Sequence, residues 1–362
     1  MWGKHIKISL FGESHGPAIG ITIEGLPSGV KLDQDLIDKE MKKRAPGKSP
    51  LTTARQESDR PKIISGYFNG RTTGAPLTAI IENNDTRSRD YESTKWLMRP
   101  GHADYTIHMK TNGFNDYRGG GHSSGRITAP LVFAGSIAKQ MLAKKGIYIG
   151  AHIVQIGQVK GRKFHEEELN KETFDALGEG ELPVVEKDVI EKMRDEILTV
   201  KKIGDSVGGM VECAIVGLPV GLGSPFFDSV ESTLSHLLFS VPAVKGVAFG
   251  AGFDFALMRG SQANDAFYYC GDVVKTVTNH NGGILGGLTT GMPVVFACAI
   301  KPTPSISMMQ STVDIKEGVE KPLEITGRHD PCIVPRIVPV VEAVAGIGVL
   351  DLVLGSKAMQ LY

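Results

Sequence analysis

Two periods of apolar recurrence run along the chain, and the switches between them mark its elements. Ile6 to Leu10 and Ile19 to Ile23 alternate with period two, the second placing Ile19, Ile21 and Ile23 on one face, which predicts two strands joined through the polar turn Gly12-Glu13-Ser14-His15-Gly16. Helical spacing follows. Asp33 is placed to cap a helix carrying Leu36, Ile37 and Met41 that stops before Pro46-Gly47. After a strand over Leu77 to Ile81, the segment 82–126 has no apolar period and is predicted as a long functional loop, with Gly119-Gly120-Gly121 near its end. Leu131, Val132, Ile137, Ala138, Met141 and Leu142 then predict a helix over Thr128 to Lys145 that starts on this loop. A helix over Val185 to Leu198, a strand over Met210 to Val216 and a helix over Asp228 to Phe239 follow. Ile337 to Leu354 is strongly apolar but carries Glu342, Asp351 and several glycines, so it is read as core rather than as a membrane span.

The pattern also repeats. Gly25-Leu26-Pro27-Ser28-Gly29 returns as Gly217-Leu218-Pro219-Val220-Gly221, each between a strand and a helix. Thr72-Thr73-Gly74-Ala75-Pro76 returns as Thr289-Thr290-Gly291-Met292-Pro293, and Gly101-His102-Ala103-Asp104 is echoed by Gly327-Arg328-His329-Asp330. Three matches in one order predict an α+β protein of two similar halves, roughly 1–146 and 205–354. A connector and helical insertion over about 147–204 would join them in a single unit, with a site at the junction.

Composition narrows the function classes. Lys+Arg 40 balances Asp+Glu 40 over 362 residues, so no global field recruits nucleic acid or an anionic membrane, and anion binding has to come from local clusters. One such cluster is the run Lys42, Lys43, Arg44, Lys48, Arg55, Arg60 and Lys62. Four scattered cysteines without C-x-x-C spacing, and no signal-peptide pattern at the start, point to a reducing cytoplasm. No His/Cys or H-E-x-x-H spacing suggests a metal.

The candidate chemistry sits in the polar turns. His15 on its glycine-flanked turn is a proton donor near neutral pH, although alone it fits a hydrogen-bonded hairpin histidine equally well. Arg99-Pro100-Gly101-His102-Ala103-Asp104 groups a cation, an imidazole and a carboxylate that together can hold and protonate an anion. Gly119 to Gly121, His122, Ser123, Ser124 and Arg126 before an apolar helix have the physics of a phosphate cradle. Their match to G-x-S-x-G lacks the apolar strand that a nucleophile elbow needs. Asn279 to Gly287, Lys301 to Ser305 and Gly327 to Pro331 add a glycine platform, a lysine in a proline-stiffened loop and a second Arg-His-Asp group, with neither a Walker A nor a Rossmann pattern.

Taken together, GESHG at Gly12 to Gly16, RPGHADYT at Arg99 to Thr106, the triple glycine with Ser123-Ser124, Asn279 to Gly287, Lys301-Pro302-Thr303 and GRHDP at Gly327 to Pro331 resemble the chorismate synthase family, in its order and over nearly the whole chain. The resemblance implies a β-α-β sandwich of two pseudo-repeated halves in one large domain. It also implies an anti-1,4-elimination of phosphate from 5-enolpyruvylshikimate 3-phosphate to give chorismate, in the shikimate pathway, with reduced FMN required but not consumed. On it, His15 would protonate the departing phosphate, His102 the reduced flavin, and Asp330 would help relay the substrate's C6 proton by way of the flavin. Arg44, Arg126 and Arg328 would bind substrate, Arg44 alternatively a reduced nicotinamide (NADPH). His122, Ser123, Ser124, Pro242, Ala243, Gly286, Lys301, Pro302, Thr303, Pro304, Ser305 and Arg328 would hold FMN. A cytoplasmic homotetramer is implied, with a separate flavin reductase where the chain does not reduce its own flavin.

Three positions depart from the family pattern. His122 stands where arginine is usual, Ile127 where glutamate is usual, and Pro242 where asparagine is expected. Two other readings stay open on the residues. A flavin reductase would consume nicotinamide stoichiometrically. An RNA-binding module using the basic run would bind with steep salt dependence.

Overall fold

The computed structural model describes residues 1–47, 51–52, 57, 59–84, 91–92, 94–325 and 329–356. The two alternating segments pair as an antiparallel hairpin, β1 (Lys7–Gly12) and β2 (Ala18–Glu24), and the Ile19, Ile21, Ile23 face is fully buried. β3 (Lys62–Ser65) and β4 (Leu77–Glu82) complete a four-stranded antiparallel sheet in the order β1-β2-β4-β3. A second antiparallel sheet contains β5 (Tyr148–Ile156), β6 (Val159–Lys160), β7 (Gly209–Val216), β8 (Val244–Phe249) and β9 (Val294–Ile300), in the order β8-β9-β7-β5-β6. Among the described residues the α-helices of two turns or more are α1 (Gln34–Arg44), α2 (Asp104–Lys110), α3 (Thr128–Ala143), α4 (Lys171–Leu177), α5 (Ile190–Lys202), α6 (Val230–Ser240) and α7 (Val334–Gly355). α1, α3, α6 and α7 pack on one another between the sheets, giving the β-α-β layering.

The duplication is visible bond by bond. β1-β2-β4-β3 with α1 after its second strand and α3 after β4 matches β5-β7-β9-β8 with α6 and α7 in the same places. Thr72 Oγ1 donates to Pro27 O at 2.6 Å and accepts from Val30 N at 3.0 Å. Thr289 Oγ1 donates to Pro219 O at 2.6 Å and accepts from Leu222 N at 2.9 Å. Gly25 and Gly217 both turn with positive φ, 85° and 79°, where a β-carbon would overlap a backbone carbonyl of the neighbouring segment.

Three expectations change. The span read as a connector, 147–204, supplies β5, the partner of β7, so the second half begins with it. Its helix forms over Ile190–Lys202 rather than Val185 to Leu198, because the residues before it are taken up in a single turn at Lys187–Val189. The long loop 82–126 contains α2, whose two turns lack the buried apolar stripe that reveals a helix in sequence.

The apolar C-terminal segment is one continuous helix with mean hydropathy 2.2, and 89% of its most apolar window is buried inside the fold. Its two carboxylates have structural partners. Glu342 takes Lys139 Nζ at 2.6 Å and the Ala151 amide at 3.0 Å, and Lys139 also reaches Glu40 at 2.9 Å, so α1, α3, α7 and β5 share one ionic knot. Asp351 accepts the amides of Lys4, His5 and Ile6, fastening the N-terminal segment to α7.

Candidate active site

His15 lies at the β1–β2 turn against the glycine arc 119–121. Ser14 Oγ sits 3.2 Å from His15 Nδ1 and 3.2 Å from Gly119 O, and a β-carbon on Gly119 would overlap the His15 ring. The three glycines have φ of 61°, 89° and 53°, a backbone path that other residues rarely follow. Gly121 O in turn accepts the Ser14 amide at 3.1 Å. The Tyr91 ring meets His15 edge-on at 5.0 Å between centroids and lies 5.6 Å from the Arg99 guanidinium, so it joins the first imidazole to the Arg99–Asp104 group.

That group is bound to a loop two hundred residues away. Arg99 and Asp104 form a bidentate pair at 2.7 and 2.8 Å. Lys301 Nζ donates to Gly101 O at 2.6 Å, and Ser305 Oγ lies 2.8 Å from His102 Nε2. Burial first, and then the positive charge of Arg99, push His102 down to about 4, with Lys301 and His329 adding to the effect and Asp104 opposing it. His102 and His329, from the echoed GHAD and RHD motifs, are therefore electrostatic neighbours. Lys301 is itself lowered by burial and by Lys245. Ala243, with φ of 76°, accepts the Lys301 amide through its carbonyl at 2.9 Å.

The third group is a buried arginine cluster. Arg44 donates to Asp59 at 2.7 Å, to Gly125 O at 2.9 Å and to Thr128 Oγ1 at 3.3 Å. Arg126 pairs with Asp59 and Glu57 and donates through Nε to Asn83 Oδ1 at 3.1 Å. Burial lowers Arg44 to about 10. Burial would raise Asp59, but Arg44 and Arg126 outweigh it and hold its carboxyl below the usual range. Arg336 spans from this cluster to the fourth motif, donating to Arg44 O at 3.1 Å and to Asp330 at 2.6 Å. The contacts thus link His15, Tyr91, Arg99, His102, Asp330, Arg336, Arg44, Arg126 and Asn83 into one continuous site.

Comparison with known proteins places this arrangement. The sequence profile described as chorismate synthase matches residues 6–354. The chain belongs to the chorismate synthase family. It is 46% identical to the chorismate synthase of Thermococcus kodakarensis (strain ATCC BAA-918 / JCM 12380 / KOD1), covering 99% of each chain. It is 45% identical to that of Pyrococcus abyssi (strain GE5 / Orsay), over all of this chain and 99% of the relative. A solved structure titled "Crystal Structure of Chorismate Synthase" superposes with a TM-score of 0.77 at 28% identity, covering 98% of this chain and 93% of that one.

Against the residues that the family implies, the structure brings together His15, His102, Ser305, Lys301, Asp330, Arg44 and Arg126, with Ala243 beside Lys301. Gly286 is different. Its hairpin packs on Ser229, at the start of α6, whereas Pro242 and Ala243 follow the end of that helix, about 16 Å away at 1.5 Å per residue. Arg328 lies outside the described residues. His122, in the place of the family's arginine, is exposed and places Nδ1 2.8 Å from Gly12 O, while Ile127, in the place of its glutamate, is buried in the apolar core. Ser124 caps the following turn by accepting the Arg126 amide at 3.3 Å. Asn83, Tyr91 and Asp59 escaped the sequence reading because no motif marks them. Only the folded contacts do.

Proposed function

We propose that this chain catalyses the anti-1,4-elimination of phosphate from 5-enolpyruvylshikimate 3-phosphate, giving chorismate, with reduced FMN as a cofactor that is not consumed. The observation that carries the reading is the convergence of His15, His102 and Asp330, which are far apart in sequence, around buried arginines.

Several features fit a bound flavin. The Thr303 hydroxyl is buried with no partner in the Lys301–Ser305 loop, and Ser206 and Lys301 stiffen that loop. Lys301, Thr303, Ser305, Ala243 and Ser123 would hold the group. When bound, reduced FMN supplies electron density as the phosphate leaves.

The chain's own residues prepare the proton transfers. Ser14 donates its single hydrogen to a carbonyl of Arg118 or Gly119, so its oxygen accepts from His15 Nδ1–H and fixes the ring's orientation. With protons on both ring nitrogens, the His15 imidazolium would deliver the one on Nε2 to the leaving oxygen and remain as the neutral Nδ1–H tautomer. His102 is neutral at pH 7 among its cationic neighbours, and an anion bound beside it would raise its proton affinity to the level a donor needs. Asp330 is held by Arg336, whose Nη1 donates to it at 2.6 Å. Every guanidinium nitrogen of Arg44 and Arg126 already has an internal partner. Asp59 therefore competes with a substrate carboxylate for both arginines, and Glu57 for Arg126.

In an anaerobic mixture with chemically reduced FMN, phosphate and chorismate should appear in equal amounts, with the flavin still reduced at the end. Consumption of a nicotinamide without chorismate would establish a flavin reductase instead. The RNA-binding alternative is weakened by the basic run itself, where Arg44 is buried and Lys43 pairs with Glu40 at 2.6 Å. A cytoplasmic homotetramer is part of the proposal. Its support is four cysteines without a disulfide and a band of exposed aromatic residues taken up below.

A further inference from the structure

We propose that Asn83 is a positioning residue that locks the His15 turn to the Arg126 guanidinium; the inference rests on the elimination reading above. Asn83 follows β4 directly. Its Nδ2 donates to Glu13 O at 3.0 Å and to Gly16 O at 2.9 Å, so one amide group grips both ends of the turn that carries His15. Its Oδ1 accepts from Arg126 Nε at 3.1 Å, and its backbone amide donates to Pro17 O at 3.2 Å. Both amide hydrogens and the carbonyl oxygen are thereby used. A flipped amide would set its oxygen against two carbonyls and its NH2 against a guanidinium, so the network fixes the orientation.

Other contacts support His15 without doing this. Ser14 and Gly119 hold the ring from the glycine arc, and Tyr91 holds it from the Arg99 side. Among the described residues Asn83 alone bonds both the His15 turn and an arginine of the buried cluster. A general acid misplaced by about 1 Å loses on the order of a hundredfold in rate, so a side chain that sets this relation acts on turnover more than on binding. The residue never needs to touch substrate.

Asn83→Asp separates the two bonds, because a carboxylate still accepts from Arg126 but cannot donate to Glu13 O or Gly16 O. Measured with reduced FMN and 5-enolpyruvylshikimate 3-phosphate, it should lower kcat by roughly ten- to a hundredfold. KM should stay within about threefold of the unsubstituted protein. Asn83→Ala, which also frees Arg126 Nε, should lower kcat and raise KM together, and it carries the test if the aspartate variant does not fold.

A readout independent of turnover is the 15N chemical shift of the His15 imidazole in histidine-labelled protein, which Asn83→Ala should move without introducing a charge. An unchanged kcat, unchanged His15 shifts, or a loss of activity that only tracks the loss of folded, FMN-binding protein would each overturn the proposal. Moved His15 shifts in a protein that makes no chorismate would support the positioning link while removing the elimination reading.

Discussion

The two imidazoles differ in surroundings, and their substitutions should separate accordingly. His15→Ala and His102→Ala should each depress turnover, by roughly a hundredfold or more for a proton-transfer group, while leaving FMN binding close to normal by fluorescence titration. Full activity in either variant removes that residue from the proposal. His102 adds a pH dependence of stability. Its folded value near 4 lies below its ordinary 6.5, so the folded chain binds fewer protons than the unfolded one as pH falls through that interval. Its contribution is present above about 6.5 and lost toward 4. Denaturation midpoints should therefore decline between pH 6.5 and 4 in the native protein, and less steeply in His102→Gln. Equal slopes would mean that neither burial nor the surrounding cations hold this ring below its ordinary value. His15 and His102 stand out in sequence because glycine and proline flank them in compact motifs, and the roles proposed for them rest on the family resemblance. Asn83 was not, since a lone asparagine after a strand looks like any loop residue until its partners at Glu13, Gly16 and Arg126 are seen together.

At the scale of elements, the duplication makes a prediction that neither half makes alone. Thr72 and Thr289 each donate to the carbonyl of a Leu-Pro turn and accept an amide three residues beyond it, and both are buried. Valine at either position keeps the shape but strands a carbonyl and an amide, costing about 1–3 kcal/mol in chemical denaturation. The costs should match between halves and add to within about 0.5 kcal/mol in the double variant, because the turns share no partner. Unequal costs would show that the repeat is topological only. The helical layer has its own test. Lys139→Met leaves Glu40 and Glu342 facing each other without their shared cation, and a loss of about 3–5 kcal/mol is expected for breaking such a buried group. Glu40 is held at about 2 because Lys139 and Lys43 outweigh its burial, so the stability it contributes is present above about 4.5 and fades as pH falls toward 2. In Lys139→Met that acid-side loss should begin at higher pH. Helix and strand periods were readable from the apolar spacing. The knot was not, because Lys139 is 99 residues from Glu40 and 203 from Glu342.

For the whole molecule, the sequence carried the layering and the twofold plan but misjudged where the second half begins, since β5 is buried on both faces and so lacks the alternation that marks β2. It also gave no sign of how the chain covers its exposed apolar surface. Phe226, Phe227, Phe253, Leu257 and Tyr269 expose between 79% and 92% of their area, and the hairpin Phe267–Cys270 with Val273–Thr276 stands apart from both sheets. A two-stranded ribbon is marginal in water on its own, and apolar patches of this kind mark contact surfaces. In the proposed homotetramer these residues would be covered by further copies of the chain. Phe267→Lys combined with Tyr269→Lys places two charges on the hairpin while leaving the core and the His15, His102 and Asp330 groups untouched. Light scattering should then report a smaller particle, with circular dichroism unchanged. If a second copy completes the flavin site, FMN affinity should fall with the particle mass in that variant. A tetramer that survives both lysines would place the contact elsewhere, and a monomer that keeps full FMN affinity would show that each chain builds its flavin site alone.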